Sequence, residues 1–557
     1  MLYDLTSGTR YLGEIASTAG RVKFVLPASG VIRKFILVSA ETANINLIAN
    51  ISAPKTFQNF SVAANQGDYI IISHPSLFND GNGRNYVDEY RQYRNSANGG
   101  GFNTKTYDIA ELTDQFAFGI KGHPASIRDF IRLAEQQFAV KPKYVFIIGR
   151  GVNYMDAWTH RANPLLHAQN LVPTFGWPAS DILLASNNAT TYPLVPIGRI
   201  AAVNPGEVNN YLQKVIQYEQ AQRTSSPYIA DKAWMKDFMH VIGGKDSSEN
   251  ANFSFYMNGY KRIAEDTLYG AMVETFSKTS SAPVQQANSE RITNLVNNGL
   301  GLIGYFGHSS ANTFEFNLSD PSVFSNVGKY PFFNVSGCSA GNFYIFDPAR
   351  TTGAMSISEK YVLSSQSGSI GFLADTHFGI PPFLNFYNEN FYNLFSKTLY
   401  GNTVGNQLKE VLRIIGGQSS TLDFYNRIHL EEIALHGDPA IKMNNFAKPD
   451  YVIEEPLIKI SPNIISVADV NFHVQVNMQN IGKATGDSIW VSVKRKLPND
   501  SIKVLFDQKI AGIKNTDSIA FDVIILPNAD KGLNQLIVEL DHKNEIDELY
   551  ENRNEAE

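Results

Sequence analysis

The chain has 557 residues, 43% hydrophobic and 18% charged, with a formal net charge of −6 and one cysteine. That length supports three or four domains and at least one large core. The acidic balance without any basic run excludes a nucleic-acid footprint, one thiol excludes internal disulfides and CxxC motifs, and the lack of any apolar stretch of 18 residues excludes a spanning helix of ordinary type.

Residues 1–67 read as a small all-β module. GRVKFVLP, VIRKFILVSA, INLIANIS and FQNFSVAA alternate or run apolar between Gly, Pro, Asn and Thr breaks. From Asp68 strand-like runs alternate with helical ones, which predicts an α/β subdomain over 68–230. DYIIIS and YVFIIG are near-continuous apolar runs suited to a parallel sheet buried on both faces. SIRDFIRLAEQQF and GEVNNYLQKVIQYEQAQ carry apolar residues at three- and four-residue spacing, and Asn204 with Pro205 marks the second helix's start.

A second α/β subdomain is predicted over 231–446, with strands FMHVIGG (238–244), GLIGYFG (301–307), PFFNVSG (331–337) and SIGFLAD (369–375). The fold class is therefore α/β, with doubly wound parallel sheets in two subdomains. After Pro449 about seven short strands separated by turn residues predict a β-sandwich over 447–557.

Chemistry concentrates in the second subdomain. His308 ends the apolar run of GLIGYFGHSSANTF (301–314), and Cys338 ends that of PFFNVSGCSAGNF (331–343). Thirty residues suffice for a strand, a crossover and a second parallel strand, so the two side chains are expected side by side at the sheet's carboxyl edge. A histidine beside a cysteine takes its proton and stabilises the thiolate, while small residues around the sulfur let backbone N–H groups reach a reacting carbonyl. Alone, each residue reads more simply as a buried small hydrophobe or a satisfied histidine. Their matching strand-end contexts favour the reactive pair.

His377, in ADTHFGIPPF, also follows a strand and is a further candidate for the cleft. Gly99–Gly101 form a flexible loop, since no phosphate-loop pattern surrounds them. The remaining histidines show neither i, i+4 metal spacing nor HExxH, so no cofactor is expected from them.

YFGHSS (305–310) and GCSAGNF (337–343) resemble the histidine and cysteine motifs of the gingipain-like cysteine peptidases, peptidase family C25, whose catalytic domain is caspase-like. GDYIIISHPSLF, HPASIRDFIRLA, KPKYVFIIGRG, VPTFGWPASDILLA, PIGRIAAVNPGEVNNYLQKVIQYE and LEEIALHGDPAIKM are similar to further family segments, in order, so the resemblance covers about residues 68 to 445. It implies catalytic roles for His308 and Cys338, with the backbone N–H groups of Ser309 and Cys338 as the oxyanion site. By the same resemblance, Asp181 of the Ser180–Asp181 segment would line a pocket for a basic side chain; a cap on the turn after Pro178 is the competing reading. Two departures stand out: Ser309 where the family commonly has glycine, and Arg150 where relatives often carry aspartate. A third member orienting His308 is left open between Asp156, Glu249 and Glu315.

NMQNIGKATGDSIWVSV and VELDHKNEIDELYENRNE resemble the adhesion-type Ig-like (CARDB-like) module of bacterial surface proteins. Its acidic cluster, Asp541, Glu545, Asp547 and Glu548, reads either as a structural calcium site or as a solvated chain end. The functions implied are a cysteine endopeptidase acting on polypeptides, or a sortase-like transpeptidase of the type IX secretion system that would meet outer-membrane components of that system. The alternative is an inactive gingipain-like surface scaffold. The resemblance implies an extracellular or outer-membrane-surface location; because MLYDLTSGTRYLGEIAS lacks the form of a signal peptide, the chain would then be a segment of a longer precursor.

Overall fold

A computed structural model describes residues 1–39, 41–44, 55–187, 190–224, 226–277, 286–316, 318, 320–417, 423–444, 446–551 and 554–556. The chain divides into two compact units, Met1–Phe57 and Gln58–Glu557. In the first, β1 (Leu2–Asp4) is flanked by β2 (Thr9–Tyr11) and, in antiparallel register, by β5 (Phe35–Leu37), while β3 (Glu14–Ile15) and β4 (Val22–Lys23) form a hairpin. These strands are shorter than the apolar runs that predict them, and INLIANIS lies outside the described residues. FQNFSVAA is not a strand: it holds a short helical turn at Ala63–Asn65, and Phe60 is buried among Tyr107, Phe116, Phe130 and Phe138 of the second unit. A single aromatic anchor of this kind produces no alternating pattern.

The second unit is built on a ten-stranded sheet. Its strands are β6 (Tyr69–Ser73), β7 (Thr104–Asp108), β8 (Tyr144–Ile148), β9 (Ile197–Ile200), β10 (Asp237–Gly243), β11 (Met272–Ser277), β12 (Leu302–Gly307), β13 (Phe332–Ser336), β14 (Gly371–Asp375) and β15 (Ile433–His436). Their spatial order is β11-β10-β12-β13-β14-β15-β9-β8-β6-β7. All neighbours are parallel except β14 and β15, so β15 joins the two α/β halves and makes them run in opposite directions. Strands β6, β8, β12 and β13 are buried along their whole length, as their unbroken apolar runs require when helices cover both faces. One core runs through both halves, from Ile70 and Phe146 to Phe306 and Phe372. The helix Pro205–Arg223 starts where the sequence places it, with Pro205 in its first turn and the Asn204 side chain accepting the Glu207 N–H.

The C-terminal strands form two four-stranded sheets. One holds β16 (Tyr451–Val452), β17 (Ile458–Ser461), β18 (Asn471–Asn480) and β21 (Thr516–Ile524); the other holds β19 (Ile489–Lys496), β20 (Ile502–Ile510), β22 (Gln535–Leu540) and β23 (Glu555–Ala556). Val474, Val476 and Met478 of β18 share a core with Val491, Val493 and Val538, the alternation of a β-sandwich. Buried Lys236, just before β10, fastens this layer to the α/β sheet: its Nζ donates to the carbonyls of Asn480, Gly482 and Lys514 at 2.6, 2.9 and 2.7 Å. Buried Lys232 pairs with buried Asp450 beside it. Lys236→Met leaves three carbonyls without their donor and is expected to cost on the order of 3 kcal/mol, read as a lower urea midpoint. An unchanged midpoint would refute that role. Among the described residues no helix is long and apolar enough to cross a membrane.

Candidate active site

Strands β10, β12 and β13 lie side by side, with Gly243 opposite Gly307 and Phe306 opposite Ser336. His308 and Cys338 therefore leave adjacent parallel strands two residues beyond the last paired position. The main chain at His308 is fixed on both sides: its N–H donates to Gly243 O at 3.0 Å, and its carbonyl accepts from the Tyr305 hydroxyl at 2.6 Å and the Glu315 N–H at 2.9 Å. The imidazole is 46% exposed, and its Nε2 lies 2.9 Å from Glu249 Oε2.

Glu249 reaches this place because the helix Ser247–Asp266 begins four residues after β10 ends. Asp246 caps that helix by accepting the Glu249 N–H at 2.9 Å. The Glu249 carboxylate also accepts the Lys245 N–H at 3.1 Å and pairs with the Lys245 ammonium at 3.0 Å. Partial burial pushes its pKa up, but these Lys245 contacts and His308 outweigh burial and hold it down at about 2. An ionised carboxylate only accepts, so Nε2 carries a hydrogen, and in the neutral ring the lone pair is then on Nδ1.

Cys338 is a half-buried free thiol, with Sγ 3.7 Å from the Gly379 carbonyl. The peptide that follows it is held at both ends. The Cys338 carbonyl accepts the Ser309 hydroxyl at 2.9 Å, and the Ser339 N–H donates to the His377 carbonyl at 2.5 Å. The N–H groups of Ser309 and Cys338 make no hydrogen bond to protein among the described residues. Gly337 permits this close fit, since a Cβ there would lie 2.3 Å from Ser309 Oγ and 2.6 Å from Gly307 O. Gly337→Ala is accordingly expected to cost about 1–3 kcal/mol, seen as a lower thermal midpoint, and to slow alkylation of Cys338. A variant indistinguishable from the parent would contradict the packing.

The other candidates are placed as follows. Asp181 does not face a basic substrate side chain, contrary to the pocket expectation. It is buried, and Arg199 of β9 takes both its oxygens at 2.7 and 2.8 Å, while the hydroxyls of Thr174 and Tyr344 donate to it at 2.9 Å each. The reason is physical: a fully buried guanidinium in the sheet needs a buried counter-charge, and this carboxylate supplies it. Nor is Asp181 the side-chain cap of the helix that follows. Asp156 accepts from Asn153 Nδ2 and the Phe346 N–H. Glu315 meets His308 through its main chain. Of the three candidates for orienting His308, Glu249 has its carboxylate on the ring.

His377 joins the Cys338 loop through its carbonyl, and its ring stands edge-on to exposed Trp177 at 5.1 Å. Arg150 is an internal residue that pairs with Glu359 and donates to Gln169. In the sandwich, Asp541 accepts the Glu545 and Ile546 N–H groups, Glu545 pairs with Lys509, Asp547 with Lys448, and Glu548 accepts the Tyr451 N–H. Among the described residues no three His, Cys, Asp or Glu side chains converge in a way that could hold a metal.

Sequence reasoning missed two contributors, the Ser309 hydroxyl and the carbonyls of the loop after β14. Neither carries a sequence signal. Glu249 did have one: Asp-x-x-Glu directly after a strand is a helix-start signature, and it sets that glutamate at the strand's carboxyl end.

The family model described as Peptidase family C25 matches residues 62–444. The complex of RgpB pro- and mature domains from Porphyromonas gingivalis is similar in structure, with TM-score 0.50 and 14% identity over 88% of this chain and 98% of that one. The Arg-specific cysteine proteinase gingipain R (RgpB) gives 0.51 and 14% over 86% and 96%. Dimeric latent PorU from Porphyromonas gingivalis matches at 0.34 and 12%, over 85% of this chain and 41% of that one. No curated protein matches the chain. With the family model covering well over half its length and the ten-stranded sheet matching the gingipain fold, the chain belongs to peptidase family C25.

Proposed function

We propose that this chain is a cysteine endopeptidase that cuts polypeptides through a thioester acyl-enzyme, acting outside the cell or at a bacterial outer-membrane surface. The observation that carries the reading is the placement of His308 and Cys338 at the ends of adjacent parallel strands, with the imidazole held by the Glu249 carboxylate. The Nδ1 lone pair of His308 takes the Cys338 proton, and the thiolate attacks the scissile carbonyl to form a C–S bond. The resulting oxyanion is received by the Ser309 and Cys338 N–H groups, neither of which has a protein acceptor among the described residues. His308 then gives its proton to the leaving amine as the C–N bond breaks, and water attacks the thioester to release the acid and return the thiol. Glu249 steadies the imidazolium during these transfers.

Stoichiometric alkylation of Cys338 by iodoacetamide at neutral pH, slowed at least tenfold by His308→Ala, is the expected result. Equal, slow labelling of both proteins would mean an ordinary thiol and would leave the inactive scaffold as the better description.

A further inference from the structure

Ser309 belongs to the loop of the base, yet its side chain bonds the residue of the nucleophile. Its hydroxyl donates to the Cys338 carbonyl at 2.9 Å, and Oγ is seated against Gly337, where no Cβ fits. At the other end of the same peptide the Ser339 N–H donates to His377 O, and the Ser339 hydroxyl does so at 3.3 Å. This double grip has work to do. Ser339 has φ of +57°, the left-handed region that a serine enters only at an energetic cost.

Rotating the Cys338–Ser339 peptide by half a turn would relieve that φ. It would also turn a carbonyl toward the His377 carbonyl and an N–H toward the Ser309 hydroxyl. The Ser309 hydroxyl could accept that N–H, but two facing carbonyls share no donor, so only the observed orientation satisfies both ends of the peptide. What Ser309 adds is a tether between the two loops: without its hydroxyl the Cys338 carbonyl has no donor among the described residues, and the strained peptide is held from the His377 side alone.

We propose that Ser309 is a positioning residue: by holding the Cys338 carbonyl it fixes the peptide after the nucleophile, and so keeps the thiol and the Cys338 N–H in register with His308. The inference rests on the peptidase reading and deepens it. The Ser309 side chain acts through Cys338 and touches no reacting atom, while its own N–H remains available to the oxyanion.

The test is the rate of Cys338 alkylation by iodoacetamide from pH 5 to 10, in the full chain and its Ser309→Ala, Ser309→Thr and His308→Ala variants, with circular dichroism and thermal midpoints to establish folding. Ser309→Ala is expected to react roughly five- to tenfold more slowly near pH 7, to converge on the parent rate where the thiol is fully ionised, and to be restored by Ser309→Thr. A purely structural serine would shift the thermal midpoint and leave the pH profile alone. The positioning role is overturned if folded Ser309→Ala follows the parent at every pH, or if Ser309→Thr is as slow as Ser309→Ala. When His308→Ala is slow and Ser309→Ala is not, only the positioning role falls; when His308→Ala equals the parent, the peptidase reading falls first.

Discussion

His308→Ala is expected to lower kcat/KM on a general protein substrate such as fluorescent casein by about 10²–10⁴-fold, with the fold intact. The ring is half exposed and belongs to no hydrophobic core, so its loss opens no cavity. On the proposed mechanism, what is lost is the acceptor for the Cys338 proton and the donor for the leaving amine. Glu249→Gln separates the ring's orientation from its charge environment, since the amide oxygen can still accept from Nε2 while the anion is gone. A smaller loss, roughly tenfold, is expected, because hydrogen bonds to charged groups are stronger than neutral ones by about 1–1.5 kcal/mol. Glu249 stays ionised down to about pH 2, so it adds no acid limb to the activity profile between pH 4 and 8. Casein cleavage by His308→Ala at the parent rate would remove the imidazole from the mechanism.

The α/β class was readable because β6, β8, β12 and β13 are unbroken apolar runs, the pattern forced on strands covered on both faces. The placement of His308 and Cys338 just beyond the ends of adjacent strands was readable for a related reason: the polar residues begin where the apolar run stops. That the two halves form one sheet was not readable. The junction is made by β15, four residues long, whose sequence says nothing about pairing antiparallel with β14 and parallel with β9. Asp181 misled because a Ser–Asp pair looks the same whether it faces a cleft or a buried arginine; the partner, Arg199, stands 18 residues later in a strand. The Ser309 contact was hidden because it depends on two loops meeting from separate strands, a distance no local pattern encodes.

Glu432→Gln is expected to flatten a fall in stability that the parent shows as pH rises from 5 to 9. Asp375 ends β14 opposite Ile433, Glu432 precedes that residue, and the Thr376 N–H donates to Glu432 O at 2.9 Å. The two carboxyl groups are 1% and 2% exposed, and Asp375 Oδ2 and both Glu432 carboxyl oxygens have no hydrogen-bond donor among the described residues. Burial pushes Asp375 well above the carboxylate range; burial first, then Asp375 and Glu431, pushes Glu432 up to about 9. In the unfolded chain Glu432 titrates near 4.5. Between these values the folded protein holds a proton that the unfolded chain has released, so the Glu432 contribution to stability is complete below pH 4.5 and declines by about 1.4 kcal/mol per pH unit until the folded group ionises. Glutamine removes the proton from that balance and gives Asp375 an amide donor. Urea midpoints at pH 5, 6, 7 and 8 measure the difference, and parallel slopes for parent and variant would refute it. The consequence reaches the candidate site, because Asp375 O accepts the Gly341 N–H at 2.9 Å and the next four residues carry the His377 and Gly379 carbonyls to the Cys338 loop. Charging the pair at alkaline pH would therefore loosen first the segment against which the thiol is set, and disturb the candidate site before the fold is lost.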